Sequence, residues 1–254
     1  MKSIAILALP WLALSAPASI PFDEDISSIQ IVGGVNAAVG DFPFIVALSL
    51  GGLFQCGGSL LDETTVLSAA HCVTGESLEG MFIRTGSLNR DEGLFSNISA
   101  YTIHPQYDRD TSQNDVAILK LATPIAESST IKYAKLAPAN NDPAPGSILT
   151  VGGWGVSNTA TSHRPTLLQK VDVPVVSREE CRTKYQSYLV SEQMFCAGYA
   201  EGGKDSCQSD SGGPIVDADK TVIGVVSWGF GCALPNYPGV YARVGALLDF
   251  INSV

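Results

Sequence analysis

Short apolar stretches recur along this chain, and glycine, proline and polar residues separate them. They include residues 42–48, 56–61, 81–90, 96–103 and 149–155. Apolar segments of this length between turn residues are typical of β-strands. The 25 glycines and 14 prolines are spread through the sequence, as many short strands require. The pattern therefore predicts an all-β fold.

Two segments have the features of helices instead. Residues 177–180, SREE, have the form of a capping box, which predicts a short helix through Tyr185. Residues 244–251 carry apolar side chains at helical spacing and predict a terminal helix. Residues 122–146 are rich in Pro, Ser, Asn and Ala, and we interpret them as the link between two lobes.

The start of the chain resembles a secretory signal peptide, which we assign to residues 1–18. Lys2 supplies the positive charge, residues 4–14 form an apolar run too short to span a bilayer, and Ala16-Pro17-Ala18 resembles a cleavage site. No other run is long enough for a membrane helix. We therefore expect a secreted, extracellular protein that does not interact with a membrane, and six cysteines are consistent with that compartment.

Composition narrows the class of protein further. The 254 residues suffice for one large or two small β domains, and 45% of them are hydrophobic. Only 16% are charged, which excludes a disordered or coiled chain. The net charge of −10 argues against binding to nucleic acid, which requires clustered Lys and Arg. The same acidity could attract cationic substrates over long range, although we favour the simpler interpretation that it keeps the protein soluble.

The densest group of reactive side chains lies in residues 204–214, KDSCQSDSGGP. Ser211 precedes a glycine pair, where a substrate backbone can approach closely. A serine hydroxyl is a poor nucleophile unless a base removes its proton and donors receive the oxyanion. His71, in AAHC, and Asp115, in NDVAIL, are the candidate base and the candidate acid that orients it.

Each of these residues also has an ordinary interpretation. His71 beside Cys72 could be part of a metal site or a hydrogen-bonded core histidine, although no second metal-binding motif accompanies it. Asp115 could cap a strand or form an Asx turn. Asp205 could be an acid on a surface loop.

Taken together, the motifs resemble those of the chymotrypsin family of serine proteases, in particular trypsins, and most of all the small secreted trypsins of fungi. The chain order His71, Asp115, Ser211 is the order in that family. The resemblance covers residues 31–254. It implies two antiparallel six-stranded β-barrels, at about residues 43–121 and 147–242, with the active site in the cleft between them.

The resemblance also implies a substrate. Asp205 matches the carboxylate at the base of the trypsin specificity pocket, which binds Arg and Lys side chains. We therefore expect protein and peptide substrates with Arg or Lys, protein protease inhibitors as further partners, a monomer and no cofactor or metal. The other predicted pocket residues are Ser206, Gln208, Ser227, Trp228, Gly229 and Gly239.

Residues 19–30 resemble an activation propeptide. In the family, cleavage before Ile31 creates an α-ammonium that pairs with the acid before the nucleophile, here Asp210, whereas an ordinary interpretation of IVGG is a strand start. Gln30 precedes the cut, so a protease specific for Lys or Arg would not cleave there. We therefore expect a different, unidentified activating protease.

Sequence alone leaves the pairing of the cysteines open. The resemblance implies Cys56–Cys72, Cys181–Cys196 and Cys207–Cys232. Separately, Asn97-Ile98-Ser99 is an N-glycosylation sequon.

Ser209 departs from the family, which usually has glycine at that position. The resemblance assigns the backbone N–H groups of Ser209 and Ser211 to the oxyanion hole. A positive φ there would cost a non-glycine residue about 1–2 kcal/mol. The second hypothesis for the function is therefore a weakly active protease homologue that acts as a binding or regulatory protein. The third hypothesis is a secreted β-rich interaction domain without catalysis.

Overall fold

The structure is a computed structural model that describes residues 31–157, 161–186 and 189–254. The predicted signal peptide, residues 1–18, and propeptide, residues 19–30, lie outside the described residues. None of the helices in the described ranges has the length and apolar character needed to cross a bilayer.

The first half of the chain forms a closed barrel of six antiparallel strands in the spatial order β2-β3-β4-β7-β6-β5. It follows a 3-10 turn at Ile31–Gly33 and a two-residue strand, β1 (Val35–Asn36). The barrel strands are β2 (Ile45–Leu50), β3 (Leu53–Leu60), β4 (Thr65–Ser68), β5 (Phe82–Thr85), β6 (Leu94–Ile103) and β7 (Ala117–Leu121).

The second half forms another antiparallel barrel, which closes because β10 pairs with both β9 and β11. Around it the order is β9-β10-β11-β14-β13-β12, and β1 and β8 pair at its margins. The strands are β8 (Lys135–Leu136), β9 (Ile148–Gly153), β10 (Gln169–Val176), β11 (Met194–Ala197), β12 (Pro214–Val216), β13 (Thr221–Trp228) and β14 (Gly239–Arg243).

The predicted fold of two antiparallel six-stranded barrels with a short C-terminal helix is thus confirmed. Its physical basis is visible in β10, where Val171, Val173 and Val175 are buried and Asp172 between them is exposed. One face of each strand fills a barrel interior, and the other face meets solvent or the neighbouring barrel.

Three short helices complete the fold: α1 (Ala70–Val73), α2 (Arg178–Lys184) and α3 (Val244–Ile251). The capping prediction is confirmed at α2, because the hydroxyl oxygen of Ser177 accepts a hydrogen bond from Glu180 N at 3.1 Å. The bounds of α3 match the predicted terminal helix.

Two features differ from the sequence prediction. The strand expected over residues 81–90 ends at Thr85, because Gly86 has a φ of +85°, outside the β region. Residues 122–146, predicted as a link, contain β8, which pairs in parallel with the start of β13. The link is therefore attached to the second barrel.

All three disulfides implied by the resemblance are confirmed. Cys56–Cys72 joins β3 to α1, and Cys181–Cys196 joins α2 to β11. Cys207–Cys232 connects the segment before β12 with the loop after β13.

Candidate active site

Strand pairing brings His71 and Asp115 together. Ser68 at the end of β4 pairs with Ala117 at the start of β7, so the residues after β4 lie beside those before β7. His71 Nδ1 lies 2.7 Å from Asp115 Oδ2, and His71 N donates to Asp115 Oδ1 at 2.9 Å. Asp115 is completely buried, whereas the His71 ring is partly exposed. These two contacts fix both the position and the orientation of the imidazole.

The second barrel contributes a further contact to the same acid. Ser227, in β13, donates a hydrogen bond from Oγ to Asp115 Oδ2 at 2.6 Å. Asp115 Oδ2 therefore touches a ring nitrogen from one barrel and a hydroxyl from the other. Sequence reasoning placed Ser227 in the pocket wall and missed this contact, for which no local signal exists.

Backbone contacts between the barrels hold Ser211 against the first barrel. Gly57 N, in β3, donates to Ser211 O at 2.8 Å. A side chain at Gly212 would collide with Ser68 Oγ, so only glycine permits this close approach. The Cys56–Cys72 disulfide ties the residue after His71 to the same strand, β3.

Ser211 and His71 are both among the described residues, but no hydrogen bond joins the Ser211 hydroxyl to the His71 ring in this structure. Catalytic hydrogen bonds in proteins without substrate are frequently long and shorten when substrate binds. The structure thus joins His71 to Asp115 directly, and brings Ser211 to the same junction between the barrels.

Backbone N–H groups around Ser211 fall into two classes. Asp210 N, Gly212 N and Gly213 N donate to carbonyl groups. Within the described ranges, Ser209 N and Ser211 N donate to none. Ser209 is buried and has a φ of +73°, the left-handed conformation that suits glycine. Unsatisfied N–H groups in such a turn can receive an anion.

Ser211 also lines a cavity of about 210 Å³ that contains all the predicted pocket residues. Asp205 in its wall is only 4% exposed, and its Oδ2 accepts a hydrogen bond from Ala233 N at 3.0 Å. Burial raises the pKa of the Asp205 carboxyl to about 6, against the opposing effect of hydrogen bonds from Ala233 N and Ser206. The lining residues are Asp205, Ser206, Cys207, Gln208, Ser211, Val226, Ser227, Trp228, Gly229, Gly231, Cys232 and Gly239.

Two of the cavity glycines have different surroundings. A Cβ built at Gly239 would lie 2.8 Å from Asp205 Oδ1, closer than carbon and oxygen normally approach. A Cβ at Gly229 would meet nothing closer than 3.8 Å. Sequence reasoning identified both glycines. It also expected the Cys207–Cys232 disulfide to tie Asp205 to the pocket wall, and both cysteines line the cavity. It missed the walls formed by Val226 and Gly231.

Asp210 is completely buried beside this site. Its Oδ1 accepts from Gly155 N at 2.7 Å and its Oδ2 accepts from Cys207 N at 2.9 Å. Burial raises the pKa of this carboxyl to about 7 despite the two hydrogen bonds. Among the described residues no cation pairs with it. A side chain at Gly153 or Gly155 would collide with the carboxylate, so the two glycines make room for it.

The start of the described chain lies close to Asp205. Val32 O accepts a hydrogen bond from Asp205 N at 3.3 Å. The Val32 side chain packs against Val156 and the Cys207–Cys232 disulfide.

The possibility of a metal site at His71 can be judged from the same geometry. Cys56, His71 and Cys72 form a cluster of candidate ligands in the described part of the chain. Both cysteines are joined in a disulfide, so neither offers a thiolate. The cluster is therefore not a metal centre of the His and thiolate type.

Comparison with known proteins agrees with this geometry. The family model for trypsin matches residues 31–251. The chain is 39% identical over 262 residues to Trypsin Blo t 3 of Blomia tropicalis, covering 99% of this chain and 98% of that protein. It is 38% identical to Trypsin of Phaedon cochleariae, with 97% and 96% covered, and 42% identical to Trypsin 5G1 of Aedes aegypti, with 90% and 86% covered.

These relatives are arthropod proteins, so they give no support to the expected closeness to fungal trypsins. The match to the family model spans nearly all the described residues, and the identities extend over almost the whole chain. The chain therefore belongs to the trypsin family and is a trypsin-like serine endopeptidase.

Proposed function

We propose that this protein is a secreted endopeptidase that hydrolyses peptide bonds after Arg and Lys through an acyl-enzyme on Ser211. Secretion is supported by three disulfides, which persist in oxidising compartments. Its partners are then protein and peptide substrates, protein inhibitors that occupy the same cleft, and an activating protease. It acts as a monomer.

The observation that carries the specificity is the buried carboxylate of Asp205 in the cavity that Ser211 also lines. The described residues of this cavity include no cation to pair with it. A long side chain that ends in a cation would fill the cavity and neutralise the carboxylate. Ser206 Oγ, 3.5 Å from Asp205 Oδ1 and 3.3 Å from Tyr241 OH, offers a further hydroxyl.

The remaining groups account for the chemistry. Asp115 contacts Nδ1 of His71, and the contact recorded for Nε2 is the disulfide sulfur Cys72 Sγ at 3.8 Å. A disulfide sulfur is only a weak acceptor, so Nε2 takes the proton of Ser211 as its oxygen attacks the peptide carbonyl. The carbonyl oxygen becomes an oxyanion, which the N–H groups of Ser209 and Ser211 stabilise. His71 then gives the proton to the leaving amine. In the second half of the reaction, water attacks the acyl-enzyme with His71 as its base, and the acid product leaves Ser211.

The zymogen proposal rests on Asp210. Its buried carboxylate accepts two backbone hydrogen bonds, from Gly155 N and Cys207 N, and pairs with no cation among the described residues. Val32 packs against Cys207, one of these two donors, so the start of the described chain lies nearby. A new α-ammonium at Ile31 would supply the missing charge. Losing one partner of such a buried pair costs about 3–5 kcal/mol, enough to act as a switch.

Asp205→Ser tests the specificity. The activated enzyme and the variant are compared on matched peptide substrates with Arg, Lys or Phe before the cleaved bond. Loss of one partner of a buried charge pair costs about 2–5 kcal/mol, so kcat/KM for Arg and Lys should fall by roughly 30- to 4000-fold. Asp219→Ser, at an exposed turn, is the control and should change nothing. Equal kcat/KM for the Arg and Phe substrates in the unmodified enzyme would refute the proposal.

The alternative, a weakly active homologue, is favoured by one observation: Ser209 has a positive φ in the proposed oxyanion hole. A serine-reactive phosphonate separates the two functions. Labelling of Ser211 that benzamidine blocks supports the protease. Absence of labelling in correctly cleaved, folded protein supports the homologue.

A further inference from the structure

Two aromatic side chains lie in contact on the outer face of the first barrel, one of them exposed and the other partly buried. Phe82 in β5 and Phe95 in β6 have ring centroids 4.9 Å apart, and Phe95 is 46% exposed. The guanidinium of Arg84 lies over both rings, at 5.9 and 5.5 Å from their centroids. Exposed apolar patches on a soluble protein commonly mark a binding surface. Nothing in the proposed catalysis uses this one.

Asn97 lies at one corner of this patch. In the strand pairing, Phe82 lies directly opposite Asn97, and Arg84 lies opposite Phe95. Phe95 precedes Asn97 by two residues, so their side chains leave the same face of β6. Burial agrees with this, since Ser96 and Ile98 are buried whereas Phe95 and Asn97 are exposed. Side chains opposite one another on a sheet have Cβ atoms about 4.5–5.5 Å apart.

Asn97 is also the acceptor residue of the sequon Asn97-Ile98-Ser99. Its side-chain amide forms no hydrogen bond with any described residue. The Ser99 hydroxyl donates to Lys120 O at 3.0 Å, and no hydrogen bond joins it to the Asn97 side chain. The acceptor amide therefore projects from the strand beside the two aromatic rings.

We propose that Asn97 carries an N-linked glycan whose first N-acetylglucosamine packs on the aromatic pair Phe82–Phe95. In the transfer, Asn97 Nδ2 attacks the anomeric carbon of a lipid-pyrophosphate-linked oligosaccharide. The new C–N bond replaces the bond from that carbon to the pyrophosphate oxygen. The lipid pyrophosphate leaves, and Nδ2 loses one proton to solvent. The modification requires secretion but not the proposed proteolysis.

The patch suits this occupant physically. A pyranose ring has an apolar face of C–H groups, which packs against the face of an aromatic ring, and its hydroxyl groups stay in water. The Arg84 guanidinium, which lies over both rings, offers donors to hydroxyl or acetamido oxygens of a sugar on the same patch. The sugar would cover the exposed aromatic surface, so no protein partner would be needed to remove it from water. The glycan would therefore stabilise the fold as well as cover this face.

The first test is occupancy. The full chain with Ser211→Ala, which prevents self-digestion, is secreted from a eukaryotic host, and its tryptic peptides are analysed by mass spectrometry. We expect a glycan at Asn97 and its loss in Ser99→Ala. An unmodified Asn97 in the secreted protein would overturn the proposal.

The second test asks whether the sugar contacts the rings. An endoglycosidase trims the glycan to one N-acetylglucosamine, and the melting temperature is compared with that of Asn97→Gln. We expect the variant to melt about 2–4 °C lower, the shift that a modest loss of contacts gives in a domain of this size. In a Phe95→Ala background the same comparison should show no difference.

Leu94→Ala is the matched control, because Leu94 is exposed at the adjacent position of β6 and has no aromatic ring. In that background, the melting difference between the trimmed glycoprotein and Asn97→Gln should equal the difference measured without the Leu94 substitution. If the melting difference in the Phe95→Ala background equalled the one measured with Phe95 present, the sugar would not pack on the rings. That result would overturn this part of the proposal.

Discussion

Ser227 and Asp115 come from different barrels, and a hydrogen bond of 2.6 Å joins their side chains. The accepting oxygen, Asp115 Oδ2, is also the one that His71 Nδ1 contacts at 2.7 Å. This relationship makes the orientation of the imidazole depend on how the second barrel packs against the first. It also connects the wall of the cavity around Asp205, which Ser227 lines, with the proposed base.

Ser227→Ala should therefore lower kcat/KM for an Arg substrate by roughly 10- to 150-fold. Hydrogen bonds to charged groups contribute about 1.5–3 kcal/mol, and the remaining contacts to Asp115 would keep the acid in place. The measurement is steady-state kinetics on enzyme counted by active-site titration. Ser253→Ala, near the exposed C-terminus, is the control. Unchanged kcat/KM in Ser227→Ala would show that this hydrogen bond does not support catalysis.

Binding of a cation to the specificity cavity should depend on pH through Asp205. Its pKa is raised to about 6 by burial, and only the carboxylate form attracts a cation. As the pH falls below about 6, the Kd of benzamidine should rise about tenfold per unit, because the carboxyl group takes up a proton. Isothermal calorimetry of the activated protein between pH 4.5 and 8 would measure this, at values chosen to cover roughly two units on either side of that pKa.

Asp205→Asn provides the comparison for this experiment. It should bind benzamidine weakly and with the same Kd across the range, because no carboxyl group titrates at that position. If the unmodified protein also bound with a constant Kd down to the lowest pH, Asp205 would not be the group that recognises the cation.

The two cavity glycines offer a matched pair of substitutions. Gly239→Ala places a methyl group 2.8 Å from Asp205 Oδ1, so the carboxylate must move, whereas Gly229→Ala meets no atom within 3.8 Å. Forced overpacking costs about 1–3 kcal/mol. We expect Gly239→Ala to weaken benzamidine binding by roughly 5- to 150-fold and Gly229→Ala to weaken it less. The reverse order would contradict this account of the cavity.

Much of this architecture could be predicted from local sequence. The strands, the Ser177 cap and α3 follow from patterns within a few residues, and the motifs around His71, Asp115 and Ser211 are short. The strand after Met81 was predicted too long because its end depends on the backbone conformation of one glycine, Gly86.

Long-range contacts could not be predicted in the same way. The hydrogen bond from Ser227 to Asp115 depends on the packing of two barrels, and the one from Ala233 N to Asp205 depends on the path of a loop. The position of Phe82 opposite Asn97 depends on strand register, which a single residue of slip would alter. Sequence identifies such residues individually but not their neighbours.

Asp210 should make the precursor less stable as the pH rises. Burial raises its folded-state pKa to about 7 from an ordinary value of 3.8, so the unfolded chain releases this proton at lower pH than the folded chain. The free energy of unfolding should therefore fall by roughly 4 kcal/mol as the pH rises from the unfolded-state pKa of 3.8 to the folded-state pKa of about 7. Urea unfolding of the full chain with Ser211→Ala, at intervals across the window, would measure the loss.

The mature chain beginning at Ile31 should lack this loss, because the proposed α-ammonium would stabilise the Asp210 carboxylate. Asp205 also has a raised pKa, but it contributes equally to the pH dependence of stability in the precursor and in the mature chain. Its contribution therefore cancels when the two forms are compared. Asp210→Asn in the full chain should also remove the contribution. The same pH dependence in precursor and mature chains would contradict the proposed ion pair.

Ser209→Gly should stabilise the protein with little effect on turnover. Ser209 has a φ of +73°, which costs a residue with a Cβ about 1–2 kcal/mol, and the added flexibility of glycine in the unfolded chain offsets about 0.5–1 kcal/mol of the gain. We expect the free energy of unfolding to rise by about 0.5–1 kcal/mol, measured by urea unfolding in the Ser211→Ala background. Ser112→Gly, at a loop position with a φ of +54°, is the control for stability alone.

Turnover should respond differently from stability in Ser209→Gly. We expect kcat to change less than about threefold, because Ser209 N has no acceptor among the described residues and would remain available to an oxyanion. Loss of one such donor would lower turnover by about 100- to 1000-fold. Single-turnover and steady-state kinetics on titrated enzyme would measure the change. Recovery of a lost oxyanion donor would instead raise turnover by about two orders of magnitude. Such a rise would show that serine holds the loop in an inactive conformation, as the hypothesis of a weakly active homologue requires.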